Sequence, residues 1–365
     1  MGNTVQVALI KGDGIGVDVA EAAIAVAQAA CAAQGCGFAV TEIAAGAGYY
    51  AETGADIEPR GEERAGEADA IFLGAIGLPS VRHADGTEIS PHLRLRDRYG
   101  LYAGVRPVKA YPNAPQRLAD PRAAGIDMVI LRESTEGLFY SAAVHGRAKI
   151  IGDTAVEDTL RITRATTEKL HRFAFRLAER RRARGHSGRV TCVDKANVFA
   201  SMAFFRKIFD EVAAGFPDAP HDYAYVDAQA LNLIRAPWDY DVMVMENMFG
   251  DILSDLAGGL VGGMGMAACA EIGDEIGLFQ PAHGSAPDIM GQDKANPLAA
   301  ILSGALMLDY LADKAGDRRF EAAALAIEAA VQRGFEANDL RPMEFGGDMG
   351  TGAVTRAVLS HMGDA

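Results

Sequence analysis

Two aspartates lie four residues apart in the segment Gly250–Asp255, shortly after the apolar run Val242–Met245. The apolar run predicts a buried strand that ends in a short turn and a helix, and the spacing then places Asp251 and Asp255 on one helical face. Two carboxylates on one face repel each other unless a cation lies between them, and hard oxygen ligands suit Mg²⁺ or Mn²⁺. Taken alone, such a pair is more often a solvated helix face, so both interpretations stay open at this point.

Arginines are a second group of candidate site residues. Arg96 and Arg106 lie ten residues apart, and Arg132 directly follows the strand-like run Ile126–Leu131. Ligands of α/β proteins bind at the carboxyl ends of strands, and the planar fork of arginine suits bidentate binding of a carboxylate. For any single arginine, a surface salt bridge is the more common role. The sequence therefore indicates an anion site without deciding which arginines form it.

Lys195 and Asp227 each follow a predicted strand, at Arg189–Val193 and Tyr223–Val226 respectively. A lysine near a metal and other cations can lose its proton easily enough to act as a base. The alternative is an ordinary ion pair between Lys195 and the preceding residue, Asp194, and spacing does not choose between the two. Asp227 is a candidate third carboxylate for a metal site.

Two loops have the character of nucleotide-binding loops. The strand Val5–Ile10 runs into the glycine-rich turn Lys11–Gly16, where glycine lets the backbone approach an anionic ligand closely. The spacing is not that of the GxGxxG fingerprint, so it does not indicate a Rossmann fold. A later loop, Pro281–Ile289, leads through Asn296 into a helix, and its Asp288 is a candidate acceptor for ribose hydroxyls. A plain turn or a helix cap competes with each interpretation.

Composition limits the partners of the chain. Its 365 residues suffice for two domains, and 49% hydrophobic residues support large cores. A formal charge of −14 argues against nucleic acid or an anionic membrane as a partner, but not against a small anionic substrate. The sequence shows no uninterrupted apolar stretch of ~20 residues and no secretory signal, and its four cysteines lack metal-ligand spacing. We therefore expect a cytoplasmic protein with no membrane contact.

Apolar strand-like runs alternate with long helical stretches, which indicates an α/β protein with a mainly parallel sheet covered on both faces. The predicted helices include Ile162–Arg184 and Pro297–Leu311. Two segments look like domain crossings, the proline-rich Arg106–Pro115 and the glycine-rich Gly258–Gly265. If the chain leaves one domain at the first and returns at the second, the intervening segment is a domain inserted into a split one.

In order and spacing, these motifs resemble the isocitrate and 3-isopropylmalate dehydrogenase family of β-decarboxylating dehydrogenases. The resemblance extends over essentially the whole chain and rests on Gly12–Gly16, Arg96 with Arg106-Pro107, Val193–Asn197, Asn247–Asp255 and His283–Pro297. It implies a non-Rossmann α/β fold of two domains, one inserted in the other. Residues 1–107 with 262–365 would bind the cofactor, and residues 108–261 would carry dimer, metal and substrate contacts. It also implies a homodimer whose active sites are shared between the subunits.

The resemblance implies a role for the acidic and basic motifs. Asp251 and Asp255 would bind Mg²⁺ or Mn²⁺ together with Asp227 of the partner subunit. Lys195 of the partner subunit would be the catalytic base, and Asp227 would also be a catalytic residue. The carboxylate that leaves as CO₂ would be held by Arg96, Arg106 and Arg132.

Cofactor and dimer contacts follow from the same resemblance. The implied cofactor-binding residues are Ile15, Asn197, His283, Gly284, Ser285, Ala286, Asp288, Ile289 and Asn296. The segment Ser141–Val156 falls where the family has an intersubunit arm.

The implied reaction is oxidation of a malate-like 2-hydroxy acid followed by loss of CO₂. Metal coordination lowers the pKa of the substrate hydroxyl, Lys195 takes its proton, and hydride passes to nicotinamide. NADP-using relatives carry Lys-Tyr after a His-Gly-Thr-Ala-Pro motif, whereas this chain has Asp288-Ile289. The aspartate would repel the 2′-phosphate of NADP, so NAD is the expected cofactor.

Two positions depart from the family pattern. The tyrosine that helps to protonate the enol follows Arg-Glu-x-Thr-x-Gly-x, but here Phe139 occupies that position and Tyr140 comes one residue later. A phenyl ring cannot donate a proton, and in an extended segment Tyr140 would point to the opposite side. Gln280 replaces the usual glutamate before the His-Gly pair, which removes a negative charge near the expected nicotinamide ribose. The first departure puts the decarboxylation half-reaction in question.

Substrate choice in the family depends on the segment before Arg96. Isopropylmalate enzymes have a glutamate and leucines there, whereas this chain has Ser90 and His92. Ser90 falls where isocitrate enzymes have a serine, and polar groups at both positions disfavour a buried isopropyl group. We therefore predict an acid with a free or polar 3-substituent, such as D-malate, tartrate, isocitrate or homoisocitrate. 3-Isopropylmalate is the alternative substrate; a catalytically weak binding or regulatory subunit and a Mg²⁺ phosphohydrolase are alternatives from other classes.

Overall fold

Short strands alternate with long helices in the computed structural model, which describes residues 4–141 and 148–363. The strands are β1 Val5–Gly12, β2 Phe38–Glu42, β3 Ala70–Ala75, β4 Ala103–Lys109, β5 Asp127–Glu133, β6 Lys149–Ile151, β7 Ala155–Glu157, β8 Val190–Asp194, β9 His221–Tyr225, β10 Val242–Met245, β11 Ala268–Ile272 and β12 Gly277–Pro281. The helices are α1 Ile15–Ala33, α2 Ala47–Thr53, α3 Gly61–Gly66, α4 Pro91–Arg98, α5 Arg164–Ala183, α6 Ala200–Ala213, α7 Val226–Arg235, α8 Asn247–Leu260, α9 Leu298–Ala315, α10 Arg318–Glu336 and α11 Thr351–Gly363.

Ten of these strands form one sheet in the order β2-β1-β3-β12-β11-β4-β5-β10-β8-β9, and β6 pairs with β7 separately. Strands toward both edges pair parallel, whereas β12, β11, β4 and β5 pair antiparallel with one another in the middle. The prediction of a mainly parallel sheet is therefore confirmed, since six of the nine strand pairs in this sheet are parallel and the three antiparallel pairs lie at its centre. Parallel strands need a crossover connection, usually a helix, between them. The strands β11 and β12 form a hairpin without an intervening helix, so the alternation of strands and helices does not extend to the centre of the sheet.

The long apolar runs are the best predicted elements. Observed strands lie within two residues of the predictions at Val5–Ile10, Ala70–Leu73, Ile126–Leu131, Arg189–Val193, Tyr223–Val226 and Val242–Met245. One boundary matters for the chemistry, because β9 ends at Tyr225 and Val226 already begins α7. Asp227 therefore lies in the first turn of a helix.

The two predicted domain crossings overlap regular structure. The segment Arg106–Pro115 begins inside β4, where Pro107 lies opposite Val129 of β5. The segment Gly258–Gly265 begins inside α8, and the chain turns at Gly262 and Gly263, which have φ values of 138° and 119°. Since β4 pairs with β5 along its length, the sheet continues across the boundary expected at residues 107/108. The division into residues 1–107 with 262–365 and residues 108–261 stays a prediction.

Helix α1 is long and apolar enough, by length and composition alone, to cross a membrane, although Asp18 and Glu21 interrupt its apolar run. In the structure 61% of that stretch is buried, and it packs on β3, α9, α10 and α11. The apolar residues of α1 belong to the main hydrophobic core, which also includes Val7, Phe72, Ile301 and Ile327. The composition of this helix is explained by the core that it helps to form.

Candidate active site

The antiparallel centre of the sheet places three charged side chains on one face. Glu271 of β11 lies opposite Gly104 of β4, and Gly104 lies opposite Arg132 of β5. Arg106 is two residues after Gly104 and so faces the same side. A Cβ atom at Gly104 would come within 2.6 Å of the Ser134 hydroxyl and 3.0 Å of the Glu271 carboxylate, so only glycine leaves room between the charged groups.

Glu271 joins two of the predicted substrate arginines. One of its oxygens, Oε1, accepts from Arg106 Nη2 at 2.8 Å and lies 3.1 Å from Arg96 Nη2. The Glu271 side chain is fully buried, and burial alone would raise its pKa. The neighbouring charges of Arg96, Arg106 and Arg132 outweigh burial and lower that pKa to about 2. Glu271 is therefore a buried anion within the arginine group.

Arg132 connects the arginine group to helix α8. Its Nε and Nη2 atoms donate to Asn247 Oδ1 at 2.9 and 2.7 Å, and its Nη1 atom is paired with Asp251. Burial, followed by repulsion from Arg96, lowers the pKa of Arg132 to about 10, so the guanidinium stays charged at neutral pH. Arg132, which is predicted to bind the substrate carboxylate, and Asp251, which is predicted to bind the metal, are thus in direct contact.

Helix α8 presents Asn247, Asp251 and Asp255 at four-residue intervals, which places them on one face as predicted. Burial and then the charge of Asp251 raise the pKa of Asp255. The pair therefore lies where a cation would be stabilised. The part of the chain that the structure describes holds no group of three or more His, Cys, Asp or Glu side chains able to bind a metal. The oxygen donors of one chain fit Mg²⁺ or Mn²⁺, but further ligands must come from elsewhere.

Helix α4 brings the predicted specificity residues to the same place. Ser90 precedes the helix at its N-cap position, and His92 and Arg96 lie four residues apart on one face. The Nδ1 atom of His92 is buried and has no hydrogen-bond partner among the described residues. Burial, followed by the charge of Arg96, lowers the pKa of His92 to about 3, whereas Glu271 opposes this shift. His92 is a neutral imidazole next to the arginine group at physiological pH.

Lys195 and Asp227 form an ion pair of their own. Lys195 Nζ lies 2.6 Å from Asp227 Oδ1. The alternative pairing of Lys195 with Asp194 is wrong, because the buried Asp194 carboxylate binds Arg206 at 2.7 and 2.8 Å. Asp227 is largely exposed, so the pair lies at the surface of the single chain.

Large apolar side chains are also exposed along the segments that carry this pair. They are Val198 and Phe199 after Lys195, Tyr225 before Asp227, and Leu231 and Ile234 on α7. The paired strands β6 and β7 expose Ile150 and Val156 as well. Residues 142–147 of the expected intersubunit arm lie outside the described part of the chain. An exposed apolar surface of this kind is typical of a protein interface.

The two predicted nucleotide-binding loops contact each other. Gly14 has a φ of 55°, and a Cβ atom there would lie 2.0 Å from the carbonyl oxygen of Ser285. The backbone N–H of Ile15 donates to the same carbonyl at 2.7 Å. The Nε2 atom of His283 is buried without a hydrogen-bond partner among the described residues, and burial lowers the His283 pKa. The unpaired Nε2 atom of His283 and the glycine turn are together suited to binding a dinucleotide.

The other expected cofactor residues are not all at this loop. Gly284 and Asp288 are exposed, and Ala286 and Ile289 are half-buried. Asn296 is buried and donates to Glu344 at 2.9 Å while its oxygen accepts from the N–H of Leu298 at 3.2 Å. Asn197 lies two residues after Lys195, in the turn that follows β8. Strand β8 is five positions from β12 in the sheet, so within one chain Asn197 belongs with the Lys195 surface.

The region of the missing tyrosine forms a 3-10 turn, Leu138–Ser141, and is not extended. The Phe139 ring lies against the guanidinium of Arg132, with Cζ 5.0 Å from the ring centroid. The Tyr140 ring lies instead against Arg161, at 3.9 Å. Phe139 therefore occupies the place beside the arginine group, and Tyr140 does not replace the absent hydroxyl there. Gln280, the second departure, is buried in β12, and its carbonyl accepts from Ser303 Oγ at 2.8 Å.

Glu271 and Asn247 are site residues to which the sequence motifs assign no role. The available signal for Glu271 is a single carboxylate in the otherwise apolar run Ala268–Ile272. A buried charge is costly unless it is paired, so such a residue indicates a cationic neighbour. Asn247 carries no comparable signal, because only its contact with Arg132 reveals its role.

Comparison with known proteins tests the family implied by these residues. Residues 6–362 match the family model described as isocitrate/isopropylmalate dehydrogenase. The chain belongs to this family. It is therefore an oxidoreductase of the β-decarboxylating dehydrogenase class, and the expected α/β fold is confirmed. Members of the family generally use NAD and a divalent metal, bind a hydroxy acid and form homodimers.

Individual family members are similar over nearly their whole length. A 3-isopropylmalate/3-methylmalate dehydrogenase of Methanocaldococcus jannaschii is 40% identical, with 98% of each chain covered. A 3-isopropylmalate dehydrogenase of Moorella thermoacetica is 39% identical, with 90% of each covered. Among solved structures, isocitrate dehydrogenase of Methylococcus capsulatus has a TM-score of 0.83 at 32% identity, with 98% of this chain and 99% of that chain covered.

Proposed function

We propose that the protein catalyses NAD- and divalent-metal-dependent oxidative decarboxylation of a malate with an alkyl group at C3, such as 3-isopropylmalate. The contact of Arg132 with Asp251 carries this proposal, because it joins a carboxylate-binding group to a metal-binding helix. Relatives at 37–40% identity named as 3-isopropylmalate dehydrogenases favour this acid over the polar-substituted acids predicted from the sequence.

The residues of the chain divide the work as follows. Arg96, Arg106 and Arg132 would orient the carboxylate that leaves, and their largely buried positions keep water from competing for their N–H groups. Asp251 and Asp255, with Asp227 of the partner subunit, would hold Mg²⁺ or Mn²⁺. When bound, the ion supplies Lewis acidity toward the hydroxyl and the developing enolate. The Nζ atom of Lys195 of the partner subunit would accept the hydroxyl proton in its neutral form, and NAD, when bound, would take up the hydride from C2.

The nicotinamide cofactor is proposed to be NAD, held at the joined loops. Ile15 and Ser285 fix the glycine turn against the second loop, and His283 offers a buried ring nitrogen to the ligand. The exposed carboxylate of Asp288 favours free ribose hydroxyls over a 2′-phosphate. Ala286 and Ile289 would border the same ligand. Within a dimer, Asn197 would reach it from the Lys195 surface.

A homodimer completes each site in this proposal. One chain offers Asp251 and Asp255 but exposes Lys195 and Asp227 elsewhere, among apolar side chains that need a partner. A second copy of the chain would supply the missing base and the third carboxylate. We also place the protein in the cytoplasm, in keeping with relatives that are metabolic enzymes.

A second candidate substrate class has a specific observation in its favour. His92 holds an unpartnered Nδ1 atom, and Ser90 has no side-chain capping hydrogen bond at the start of α4. Burying an isopropyl group against such atoms would leave them unsatisfied, at a cost of about 1–3 kcal/mol each. A hydroxyl or other polar substituent at C3 would give them partners.

The deciding experiment measures NADH and CO₂ with Mn²⁺ and NAD across 3-isopropylmalate, 3-methylmalate, D-malate, tartrate, isocitrate and homoisocitrate. We expect the highest kcat/KM with a 3-alkylmalate and a further rise with that acid in His92→Leu. Preference for a polar acid, lost in His92→Leu, would instead establish the second candidate. Lys195→Ala is the control, because NADH formation that persists in it would remove the proposed chemistry. No NADH with any acid would favour a binding or regulatory subunit.

A further inference from the structure

The proposed mechanism gives no role to Glu271, which lies within the arginine group formed by Arg96, Arg106 and Arg132. Its carboxylate is fully buried and pairs with both Arg96 and Arg106, which are themselves nearly buried. A carboxylate of the substrate would seek the same N–H groups. Glu271 is therefore a fixed anion that competes within the anion-binding site.

Two donors of these arginines are buried and unpaired. Arg96 Nε and Arg106 Nη1 are buried and have no hydrogen-bond partner among the described residues, so they remain available to a ligand. The Nη2 atoms of both arginines already donate to, or lie beside, one oxygen of Glu271. A carboxylate that sought the Nη2 atoms would have to displace Glu271 or lie beside its charge.

Charge leads to the same limit. The three arginines carry three positive charges, of which Glu271 cancels one and Asp251 pairs with another. His92, the nearest group on α4, is neutral and adds no cation to the side where the C3 substituent would lie. A substrate with a carboxylate in that substituent would face Glu271 without a matching charge.

We propose that Glu271 restricts the enzyme to dicarboxylic 2-hydroxy acids and excludes tricarboxylic ones, by occupying Arg96 and Arg106 and repelling a third carboxylate. Glu271 is thus a specificity-determining residue that acts through the arginines. The inference rests on the proposed function, since it takes the arginine group to be the substrate site.

The test compares Glu271→Gln, which keeps the shape and removes the charge, with Glu271→Asp, which keeps the charge. Asp274→Asn is the matched control, because Asp274 lies in the turn after β11 and pairs with Lys169 at the surface. Calorimetry with Mn²⁺ but without NAD gives the affinities for 3-isopropylmalate and isocitrate, and kcat/KM is measured for both acids. We expect Glu271→Gln to shift the ratio toward isocitrate by at least about tenfold. Glu271→Asp and Asp274→Asn should each stay within about threefold of the unaltered enzyme.

The outcomes separate this inference from the proposed function. A folded, dimeric Glu271→Gln enzyme with an unchanged ratio would show that Glu271 only stabilises buried arginines, and would overturn the inference alone. The inference also fails if Glu271→Asp shifts the ratio as much as Glu271→Gln, because the charge would then not be the cause. If the unaltered enzyme binds and oxidises none of the acids, the proposed function fails and the inference fails with it.

Discussion

Lys195 donates to Asp227 at 2.6 Å, although Lys195 directly follows β8 and Asp227 lies in the first turn of α7. The pair is held together before any second subunit is present. Asp251 and Asp255 belong to α8 and form a separate acidic pair beside Arg132. We call these two pairs half-sites. If dimerisation joins the Lys195–Asp227 pair of one subunit to the Asp251–Asp255 pair of the other, a defect in either pair disables the active site that contains it.

Mixed dimers test that arrangement directly. Lys195→Ala and Asp251→Asn homodimers should each retain less than about 1% of activity, because every site contains one defect. After the two variants are unfolded and refolded together, half of the dimers are mixed, and each of these contains one intact site. We therefore expect recovery of about a quarter of the unaltered activity, measured as NADH formation.

The control for this experiment combines two defects in the same half-site. Refolding Lys195→Ala with Asp227→Asn gives mixed dimers in which both sites remain defective, so activity should not return. Recovery in this control, or none in the first mixture when mixed dimers are present, would contradict shared active sites.

Phe139 should limit the decarboxylation half-reaction, because its ring lies 5.0 Å from the Arg132 guanidinium and has no proton to give. We expect Phe139→Tyr to raise the rate at which the decarboxylated keto acid forms by at least about tenfold, since a positioned general acid contributes 10²–10⁴-fold. Stopped-time measurements of CO₂ and of released keto acid would show the change. Tyr140→Phe is the matched control and should have no such effect, because the Tyr140 ring lies against Arg161. Equal rates in Phe139→Tyr and the unaltered enzyme would mean that another group protonates the enol.

The outer parts of the fold can be predicted because their strands are continuous apolar runs. The apolar run Val242–Met245 is buried along its whole length and coincides with β10. Strand β4 instead resembles a connector in sequence, because Pro107 within it lacks a backbone donor. Such a strand forms only when both neighbours, β5 and β11, are in place, and local sequence does not reveal this.

The contacts of the candidate site also include some that the sequence predicts and some that it does not. Asp251 and Asp255 can be paired from helical spacing, whereas the contact of Glu271 with Arg106 spans 165 residues of sequence. It depends on the antiparallel pairing of β11 with β4. The turn at Phe139 could not be predicted from the sequence either. The expected direction of Tyr140 assumed an extended segment, whereas the structure has a 3-10 turn there.

Metal binding should depend on pH through Asp255. Burial, followed by repulsion from Asp251, raises the pKa of Asp255, so this carboxyl takes up a proton at a higher pH than an ordinary aspartate. Protons then compete with the cation at a higher pH than they would at an ordinary aspartate. We expect the rise in Tm produced by Mn²⁺ to shrink as the pH falls, in differential scanning calorimetry at constant ionic strength.

The variant Asp255→Asn should separate metal binding from folding. A raised aspartate pKa means that the charged form is disfavoured in the folded state, so its charge costs stability above that pKa. Without metal, Asp255→Asn should therefore raise Tm by about 1–2 °C at pH 8. With Mn²⁺ the variant should show no further rise. A full Mn²⁺ effect in Asp255→Asn would exclude Asp255 as a ligand.

Cofactor choice should respond to the charge at Asp288, which is exposed on the loop that meets the glycine turn. The double variant Asp288→Lys with Ile289→Tyr would replace repulsion of a 2′-phosphate by attraction. We expect the ratio of kcat/KM for NADP to that for NAD to rise by about tenfold to hundredfold, and to fall again as salt increases. Glu179→Lys makes the same change of charge on the exposed face of α5 and should leave the ratio unchanged. If both variants shift the ratio equally, the effect reflects net charge, and the cofactor does not lie at this loop.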